Sequence, residues 1–519
     1  VVEATPPEPS ACAPAPGPSP LRRLTHREYD NTLRDLLGDT SAPSQAFPAE
    51  EELNGFTNNA ATQTLSPVLA EKYMLAAMEV AERATQNLGK LLPCDPAKVG
   101  EEACARRFIQ QMGTRAFRRP LTQASEDQLF AVYAAGRASK DFRTGIQLAL
   151  EVMLQSPEFL YLLEDGTPVD GRPTLLELDG WSMASRLSYL LWGTLPDKEL
   201  FDAAEEGRLS TPDELAAQAR RMLKDPRARG VVREFHAQWL GLGRISELAK
   251  DTSHFPAFNP DIRSHLRAEA DAFVDHVVFE GEGTLKELFT APYTFVDAPL
   301  AAYYGLTPPR GQGMVKVDLP TRRGAGLLSQ GGLMAVLAKP TETSPILRGK
   351  FVRERLLCQM IPPPPDNAVI APNTDPNATA REKLAEHRKD PSCGGCHIRM
   401  DPIGFGFEKF DGIGRFREME PRGGPVDDSG DVDGNTFRGV SELGTLLAED
   451  PKVHSCVVKQ WFRFAHGRAD SDDDACTLST LEAAFTRSNG NVQDLLINLT
   501  QTEAFRFRTA PVGSQGVTP

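Results

Sequence analysis

The sequence predicts a mainly α-helical protein, in which a multi-module helical body is followed by a smaller C-terminal domain with short hairpins. Helix starts are marked by three capping boxes, each with Ser or Thr followed three residues later by Glu: Thr25–Glu28, Thr211–Glu214 and Ser479–Glu482. Strand-like alternation is scarce and is confined to short pieces around residues 313–319 and 424–437. A proline- and asparagine-rich stretch over residues 361–377 predicts the linker between the body and the smaller domain.

Local signals define these elements. After the box at Thr25, apolar residues such as Leu33 and Leu36 recur at helical spacing, and Gly38 predicts the end of this helix. Pro212 follows the second box and suits the first position of a helix, because proline has no N–H to leave unsatisfied there. Glycine and aspartate turns within the two strand-like pieces predict hairpins.

Composition predicts the tether and the linker, and the family resemblance described below implies the separate modules, which together make seven predicted segments. They are a flexible Pro-rich tether at 1–20, an N-terminal helical module at 21–95, a second helical module at 96–170, a central helical module at 171–310, a segment with the Pro-rich linker at 311–376, a domain with a cysteine motif at 377–445 and a C-terminal helical module at 446–510.

Charge and hydropathy exclude several classes of protein. The formal net charge of the chain is −14, so neither nucleic acid nor an anionic membrane surface is expected as a partner. No run of about 18 apolar residues occurs, and the sequence therefore predicts no transmembrane segment. The chain is long enough for several packed units.

The cysteines predict an oxidising environment. Of the eight, Cys393 and Cys396 belong to the motif described below, which leaves an even number. We predict three disulfides: Cys94–Cys104, Cys456–Cys476 and Cys12–Cys358. The first two join cysteines close in sequence, and the third joins the pair that remains. Six buried thiols of a cytosolic protein are the alternative, whereas disulfides place the protein outside the cytoplasm.

Residues 393–397 read Cys-Gly-Gly-Cys-His. A structural zinc site needs about four ligands, and the chain has no second pair of cysteines at this spacing. A thioredoxin-like dithiol follows a strand, whereas the residues before Cys393 are polar and helical in pattern. The remaining interpretation is one covalent c-type haem, with thioether bonds to Cys393 and Cys396 and His397 as the proximal iron ligand.

The residues after the motif predict the surroundings of this haem. An iron-bound imidazole donates its second N–H to an oxygen acceptor, and the carbonyl of Pro402 is the predicted acceptor. Apolar walls are expected from the phenylalanines that follow, although their spacing also fits an ordinary core stripe: Phe405, Phe407 and Phe410. Arg415 and Arg417 are predicted partners of the haem propionates, because guanidinium groups match carboxylates.

A sixth ligand would decide between an electron carrier and a catalyst. Met400 lies too close to His397 in sequence to reach the distal face. The distal candidates are therefore residues elsewhere in the chain, for each of which a structural role is the alternative: Met334, His236, Met419 and His466. We expect the distal side to face the helical body and to be accessible to exogenous ligands.

Several long segments resemble one known family. The haem segment CGGCHIRMDPIGFGFEKFDGIGRFRE is similar to that of large secreted c-type haem proteins of planctomycetes and myxobacteria, whose domains are catalogued as having unknown function. Other segments with the same resemblance are LRRLTHREYDNTLRDLLGD, RAFRRPLT, LQSPEFLYLLE, SRLSYLLWGTLPDKEL, FHAQWLGL, TSPILRGKFVRERLLCQMIPPPP and WFRFAHGRADSDDDAC. Together they extend over nearly all of residues 20–508. The resemblance implies an exported, mostly helical, modular protein with a cytochrome-c-like haem domain, and it implies no particular reaction.

Three functional hypotheses follow. The first is an extracytoplasmic monohaem redox protein that transfers electrons between protein partners or to a substrate. The second is a haem enzyme of peroxidase or oxygenase type, with an open distal site and a small-molecule oxidant. The third is a binding or scaffold protein with a vestigial haem. The expected location is periplasmic, outer-membrane-associated or extracellular, and no catalytic residue is assigned.

Overall fold

Helices make up most of the structure, which confirms the predicted fold class. The computed structural model describes residues 16–320, 323–324, 326–363, 378–389, 391–420 and 422–509. The α-helices are α1 (His26–Leu37), α2 (Pro67–Thr85), α3 (Leu88–Leu91), α4 (Pro96–Val99), α5 (Glu101–Phe117), α6 (Gln123–Ser139), α7 (Phe142–Gln155), α8 (Pro157–Leu160), α9 (Gly180–Leu191), α10 (Lys198–Glu205), α11 (Pro212–Leu223), α12 (Arg227–Trp239), α13 (Pro260–Phe279), α14 (Leu285–Thr290), α15 (Ala298–Tyr304), α16 (Gly331–Val336), α17 (Pro345–Phe351), α18 (Ala380–Lys389), α19 (Pro391–Phe405), α20 (Gly439–Glu449), α21 (Pro451–His466), α22 (Ala475–Arg487), α23 (Val492–Gln501) and α24 (Glu503–Arg506).

The strands are short and pair in small antiparallel sheets. They are β1 (Arg22–Arg23), β2 (Tyr161–Leu162), β3 (Gly166–Val169), β4 (Arg172–Leu178), β5 (Tyr293–Val296), β6 (Val315–Asp318), β7 (Ser429–Val432), β8 (Asn435–Arg438) and β9 (Phe507–Thr509). Strand β1 pairs with β2, β4 lies between β3 and β9, β5 pairs with β6, and β7 pairs with β8.

Two of the three capping boxes begin helices as predicted. The Thr25–Glu28 box starts α1, which ends at Gly38 in the left-handed conformation, and the Thr211–Glu214 box starts α11 with Pro212 at its first position. The prediction of a helix start at Ser479 was wrong, because that residue lies inside α22. A box formed by Ser471 and Asp474 lies instead just before this helix, within the acidic run.

The two strand-like pieces form different structures. Residues 429–438 form the β7–β8 hairpin, whose turn has Asp433 and Gly434 at φ 52° and 87°; positive φ at both positions matches the right-handed twist of the strands. Strand β6, in the other piece, pairs with the distant β5 rather than with its own neighbours. Local alternation in the sequence thus located β6, β7 and β8, but it did not show that β6 pairs with β5.

The described residues fall into two compact units. Unit 1 contains residues 16–231, 462–480 and 496–509. Its core is built around Tyr29 of α1, whose ring lies 5.4 Å from that of Phe47, 5.2 Å from that of Tyr73 and 5.9 Å from that of Phe159. The aromatic cluster ties α1 to α2 and α8.

Unit 2 contains residues 232–461, apart from the gaps given above, and residues 481–495. One part of its interior is the stack of Phe235 on Trp461, with ring centroids 3.6 Å apart. Another is an apolar cluster in which Leu266 of α13, Leu300 of α15 and Ile413 are buried. Helices α17, α18 and α19 all belong to this unit, which therefore carries the Cys-Gly-Gly-Cys-His motif.

Candidate haem attachment site

Helix α19 presents both motif cysteines on one turn. Cys393 and Cys396 are half-buried thiols, and a separation of three residues places them on the same face of a helix. Pro391 begins the helix, where a missing N–H costs nothing. Ile398, on another face of α19, is 66% exposed. The local geometry thus presents two thiols side by side, followed directly by His397.

His397 is oriented by a carboxylate one turn further along α19. Its Nδ1 lies 3.1 Å from both carboxylate oxygens of Asp401. The Asp401 side chain is fully buried, and that of His397 is 14% exposed. A buried carboxylate needs such a partner, because leaving an ion without one in a protein interior is costly. This arrangement assigns the proton of the neutral imidazole to Nδ1, so that Nε2 is the ring nitrogen that carries the lone pair.

The prediction that the Pro402 carbonyl accepts a hydrogen bond from the His397 ring was wrong. Asp401 lies four residues after His397 in α19 and therefore on the same helix face, whereas Pro402 lies five residues after it and therefore on another face. The Pro402 carbonyl oxygen instead approaches Gly430 of β7, where an added Cβ would lie 2.6 Å from it. The spacing His-x-x-x-Asp within a helix was the sequence signal that could have identified Asp401.

Helix α17 holds α19 in place through very close backbone contact. A Cβ added to Gly349 of α17 would lie 1.9 Å from the carbonyl oxygen of Met400, and one added to Gly404 would lie 1.9 Å from that of Pro345. Only glycine permits this approach at either position. The two contacts position the helix turn that carries His397 and Asp401.

A buried arginine, which the sequence analysis did not single out, fixes the segment after α19. Arg348 of α17 is completely buried. It donates to the carbonyls of Phe407 and Asp411 at 2.8 and 3.0 Å, and it forms an ion pair with Glu408 at 3.1 Å. Burial raises the pKa of Glu408. A buried charge pair of this kind is strongly destabilised when one partner is removed.

The phenylalanines and arginines that follow the motif have clear positions. Phe405, Phe407 and Phe410 are all buried. The Arg381 guanidinium of α18 lies 4.1 Å from the ring centroid of Phe405. Arg417 forms ion pairs with Glu408 and Glu420, and Arg415 is exposed. The roles of these residues as haem walls and propionate partners remain predictions.

The four distal candidates lie in different surroundings. Met334 is fully buried in α16, and Met419 is 57% exposed. His236 is buried, donates a hydrogen bond from Nδ1 to the Val232 carbonyl at 2.8 Å, and has a pKa lowered to about 4 by burial. His466 belongs to unit 1, and burial lowers its pKa well below the usual range. Ligation by any of them remains a prediction.

One predicted disulfide is confirmed and two pairings were wrong. Cys94 is bonded to Cys104, as expected from their short separation. Cys358, just before the linker, is bonded to Cys456 of α21 across 98 residues. This bond excludes both Cys456–Cys476 and Cys12–Cys358; Cys12 itself lies outside the described residues. Proximity in sequence did not decide the partner of Cys456, because tertiary packing brings Cys358 to it.

An open cleft of about 610 Å³ lies beside the site in unit 2. Its walls come from residues 339–346, which lead into the first turn of α17, from the start of α18 and from the segment 408–420. One wall residue, Pro345, is the residue whose carbonyl contacts Gly404 of α19. The cleft is large enough for a small organic molecule.

Two further observations concern metal and membrane. Within the described ranges, no group of three or more His, Cys, Asp or Glu side chains could hold a metal ion, so the fourfold ligand set of a structural zinc site has no counterpart there. The helices that the structure describes include none with the length and hydropathy of a membrane span.

Five protein-family models match the chain. All five carry the description "protein of unknown function": DUF1587 at residues 22–86, DUF1595 at 104–164, DUF1592 at 178–306, DUF1588 at 323–420 and DUF1585 at 433–505. They are families of planctomycete-type, cytochrome-c-like proteins. The DUF1588 match, whose short name is PSCyt3, spans α17, α18 and α19. No curated protein and no solved structure matches the chain.

Proposed function

We propose that the protein is an extracytoplasmic redox protein with one covalently attached c-type haem, and that it transfers electrons to or from a partner. The observation that carries the proposal is the arrangement on α19, where two thiols, a histidine and a buried carboxylate lie within three turns. The match of the PSCyt3 family over the same segment supports it.

Each of these residues has a defined role in the proposal. The Cys393 and Cys396 thiols would hold the haem through two thioether bonds, and Nε2 of His397 would bind its iron. Asp401 accepts the Nδ1 proton of His397, which fixes the orientation of the ring and increases its basicity. When bound, the haem supplies one-electron redox chemistry.

Disulfides between described residues support a location outside the cytoplasm. Cys94–Cys104 and Cys358–Cys456 would be reduced by the thiol buffers of a bacterial cytoplasm. Covalent haem attachment also takes place outside the cytoplasm. The proposed redox chemistry and the cysteine chemistry are therefore consistent with the same compartment.

An optical redox titration tests the proposed function. We expect the purified protein to show one reversible one-electron transition, and H397A to lose or strongly alter the spectrum because the axial imidazole is removed. H254A is the matched control, since His254 belongs to the same unit and is 55% exposed. A spectrum and midpoint potential of H397A equal to those of the wild type would contradict the proposal.

Haem catalysis is the second candidate function. The observation that favours it is the carboxylate partner of His397, because increased basicity of the axial imidazole favours activation of a bound oxidant. The cleft of about 610 Å³ would admit a substrate. Cyanide or carbon monoxide distinguishes the two functions: a fast spectral change shows an accessible iron, and an unchanged low-spin spectrum leaves electron transfer alone.

A further inference from the structure

A second cavity in unit 2, of about 370 Å³, has the chemistry of an anion-binding site. We propose that it binds a small organic oxyanion, a carboxylate or a phosphate group carried on an apolar body. Residues that define it are Arg323, Lys409, Phe410, Phe416, Arg438 and Ser441. The attachment residues Cys393, Cys396 and His397 and the residues of the cleft at 339–346 do not line this cavity, whereas Phe410, a predicted haem wall, does.

Arg323 is the central observation. It is only 4% exposed, it lines the cavity, and its buried Nε–H has no hydrogen-bond partner among the residues that the structure describes. Its guanidinium lies 4.1 Å from the ring centroid of Tyr304. A buried guanidinium with an unsatisfied N–H is unfavourable, and an oxyanion satisfies such a group with charge-assisted hydrogen bonds.

Glu269, a buried carboxylate that interacts with the charge of Arg323, is already engaged. Glu269 accepts hydrogen bonds from Thr294 at 2.6 Å and from Tyr304 at 2.5 Å. Burial raises the pKa of Glu269 to about 7. Glu269 is thus a weak counter-charge for Arg323 near neutral pH, which leaves an anion from solution as the stronger partner.

Helix α20 begins at the same cavity. Gly439, Val440 and Ser441 form its first turn and line the cavity. The side chain of the N-cap residue Arg438 makes no capping hydrogen bond, and the Gly439 N–H donates to the Asp428 carbonyl at 3.0 Å. The first N–H groups of an α-helix have no acceptor within the helix and carry a partial positive charge. An oxyanion placed there accepts from backbone N–H groups and from Arg323 together.

The remaining charges of the lining favour an anion. Lys409 is paired with Asp428 at 2.7 Å, and Glu442 accepts from the backbone N–H of Arg438 at 2.7 Å. The lining thus contains three cationic side chains and two carboxylates, so its net charge is +1. Arg438 is exposed and can approach a ligand from the mouth of the cavity.

The apolar part of the ligand is inferred from the opposite wall. Phe410 and Phe416 lie edge to face, with ring centroids 5.7 Å apart, and both line the cavity. The volume is within the range of small-molecule sites, which begins at about 300 Å³, and is larger than an inorganic ion requires. Aromatic walls beside an arginine suit an aromatic or aliphatic acid.

Calorimetry with the haem-loaded full chain tests the site, using benzoate and phenyl phosphate as probes. We expect at least one probe to bind. Binding of benzoate alone identifies a carboxylate site, and binding of phenyl phosphate alone identifies a phosphate site. Inorganic phosphate is the third probe and is expected to bind more weakly than phenyl phosphate, because it has no apolar body.

Substitutions distinguish binding in this cavity from unspecific binding elsewhere on the protein. R323Q is expected to weaken binding of the probe at least about tenfold, because this is the usual effect of losing a hydrogen bond to a charged group. R438Q, at an exposed position, tests the site without risk to folding and is expected to weaken binding severalfold. R310Q, which changes an exposed arginine outside the cavity, is the control. The proposal would be overturned if neither benzoate nor phenyl phosphate bound. It would also be overturned if R438Q and R323Q each bound the probe with wild-type affinity.

Discussion

The hydrogen bond from His397 places a negative carboxylate behind the proposed iron ligand. Asp401 is buried, so its charge is poorly screened by solvent and favours the oxidised iron. We expect D401N to raise the midpoint potential by on the order of 60 mV, which corresponds to a tenfold change for a one-electron couple. The measurement is a redox titration of the holoprotein.

The control for D401N is D261N. Asp261 lies in the first turn of α13, is exposed, and has the same change in side chain. Its midpoint potential should equal that of the wild type. If the midpoint potential of D401N equalled those of D261N and the wild type, Asp401 would not tune the iron ligand.

Glu269 predicts a pH dependence of stability. Burial raises its pKa from 4.5 to about 7, so the folded state holds a proton that the unfolded state releases. This contribution to stability is complete below pH 4.5 and is lost as pH rises through about 7. The loss is on the order of 3 kcal/mol. E269Q should remove this pH dependence, which urea unfolding at about pH 4 and about pH 8, below and above both pKa values, can measure.

Individual residues show which part of the site was predictable from sequence. The Cys-x-x-Cys-His spacing and the Thr25 capping box are local signals, and both predict local structure. Arg348 and Arg323 carry no such signal, because their importance arises from burial against segments distant in sequence. The pairing of Cys358 with Cys456 was missed for the same reason.

At the level of elements, the contact between α17 and α19 depends on two glycines. G349A places a methyl group 1.9 Å from the Met400 carbonyl oxygen, so the helices must separate. We expect a loss of roughly 2 kcal/mol or more in the free energy of unfolding and a lower yield of haem-loaded protein. Chemical denaturation and the haem absorbance per chain measure these effects.

Gly395 is the matched control for this prediction. It lies in α19 between the two cysteines, and a Cβ there meets nothing within 4 Å. G395A should be neutral or stabilise the helix by about 0.5 to 1 kcal/mol, because alanine loses less backbone entropy on folding. Equal stability in G349A and G395A would show that the close packing of the two helices contributes little.

The Cys358–Cys456 disulfide closes a loop that contains the haem segment. The loop spans 98 residues, and removing such a cross-link costs roughly 2 to 5 kcal/mol in the chain-entropy account. We expect the C358A/C456A double variant to unfold at lower denaturant concentration by that amount. Peptide mapping without reductant should recover Cys358 linked to Cys456; recovery of Cys456 linked to Cys476 would contradict the structure.

For the whole molecule, the sequence predicted a mainly helical chain, and the structure confirms this class. The division into two compact units was not foreseen, because unit 1 contains residues from both the first half and the last part of the chain. Composition changes along a sequence detect only continuous segments. Contacts between distant segments, such as β4 with β9 in unit 1, become visible only in three dimensions.

Covalent attachment of haem to α19 is the central claim, and one measurement tests it directly. The protein is produced together with haem-attachment machinery and is then denatured in acid-acetone. The mass of the intact chain is measured afterwards. We expect haem absorbance to stay with the polypeptide and its mass to exceed that of the bare chain by one haem. In the C393S/C396S variant both signals should disappear. Extraction of all haem into the organic phase, with the mass of the bare chain, would contradict the claim.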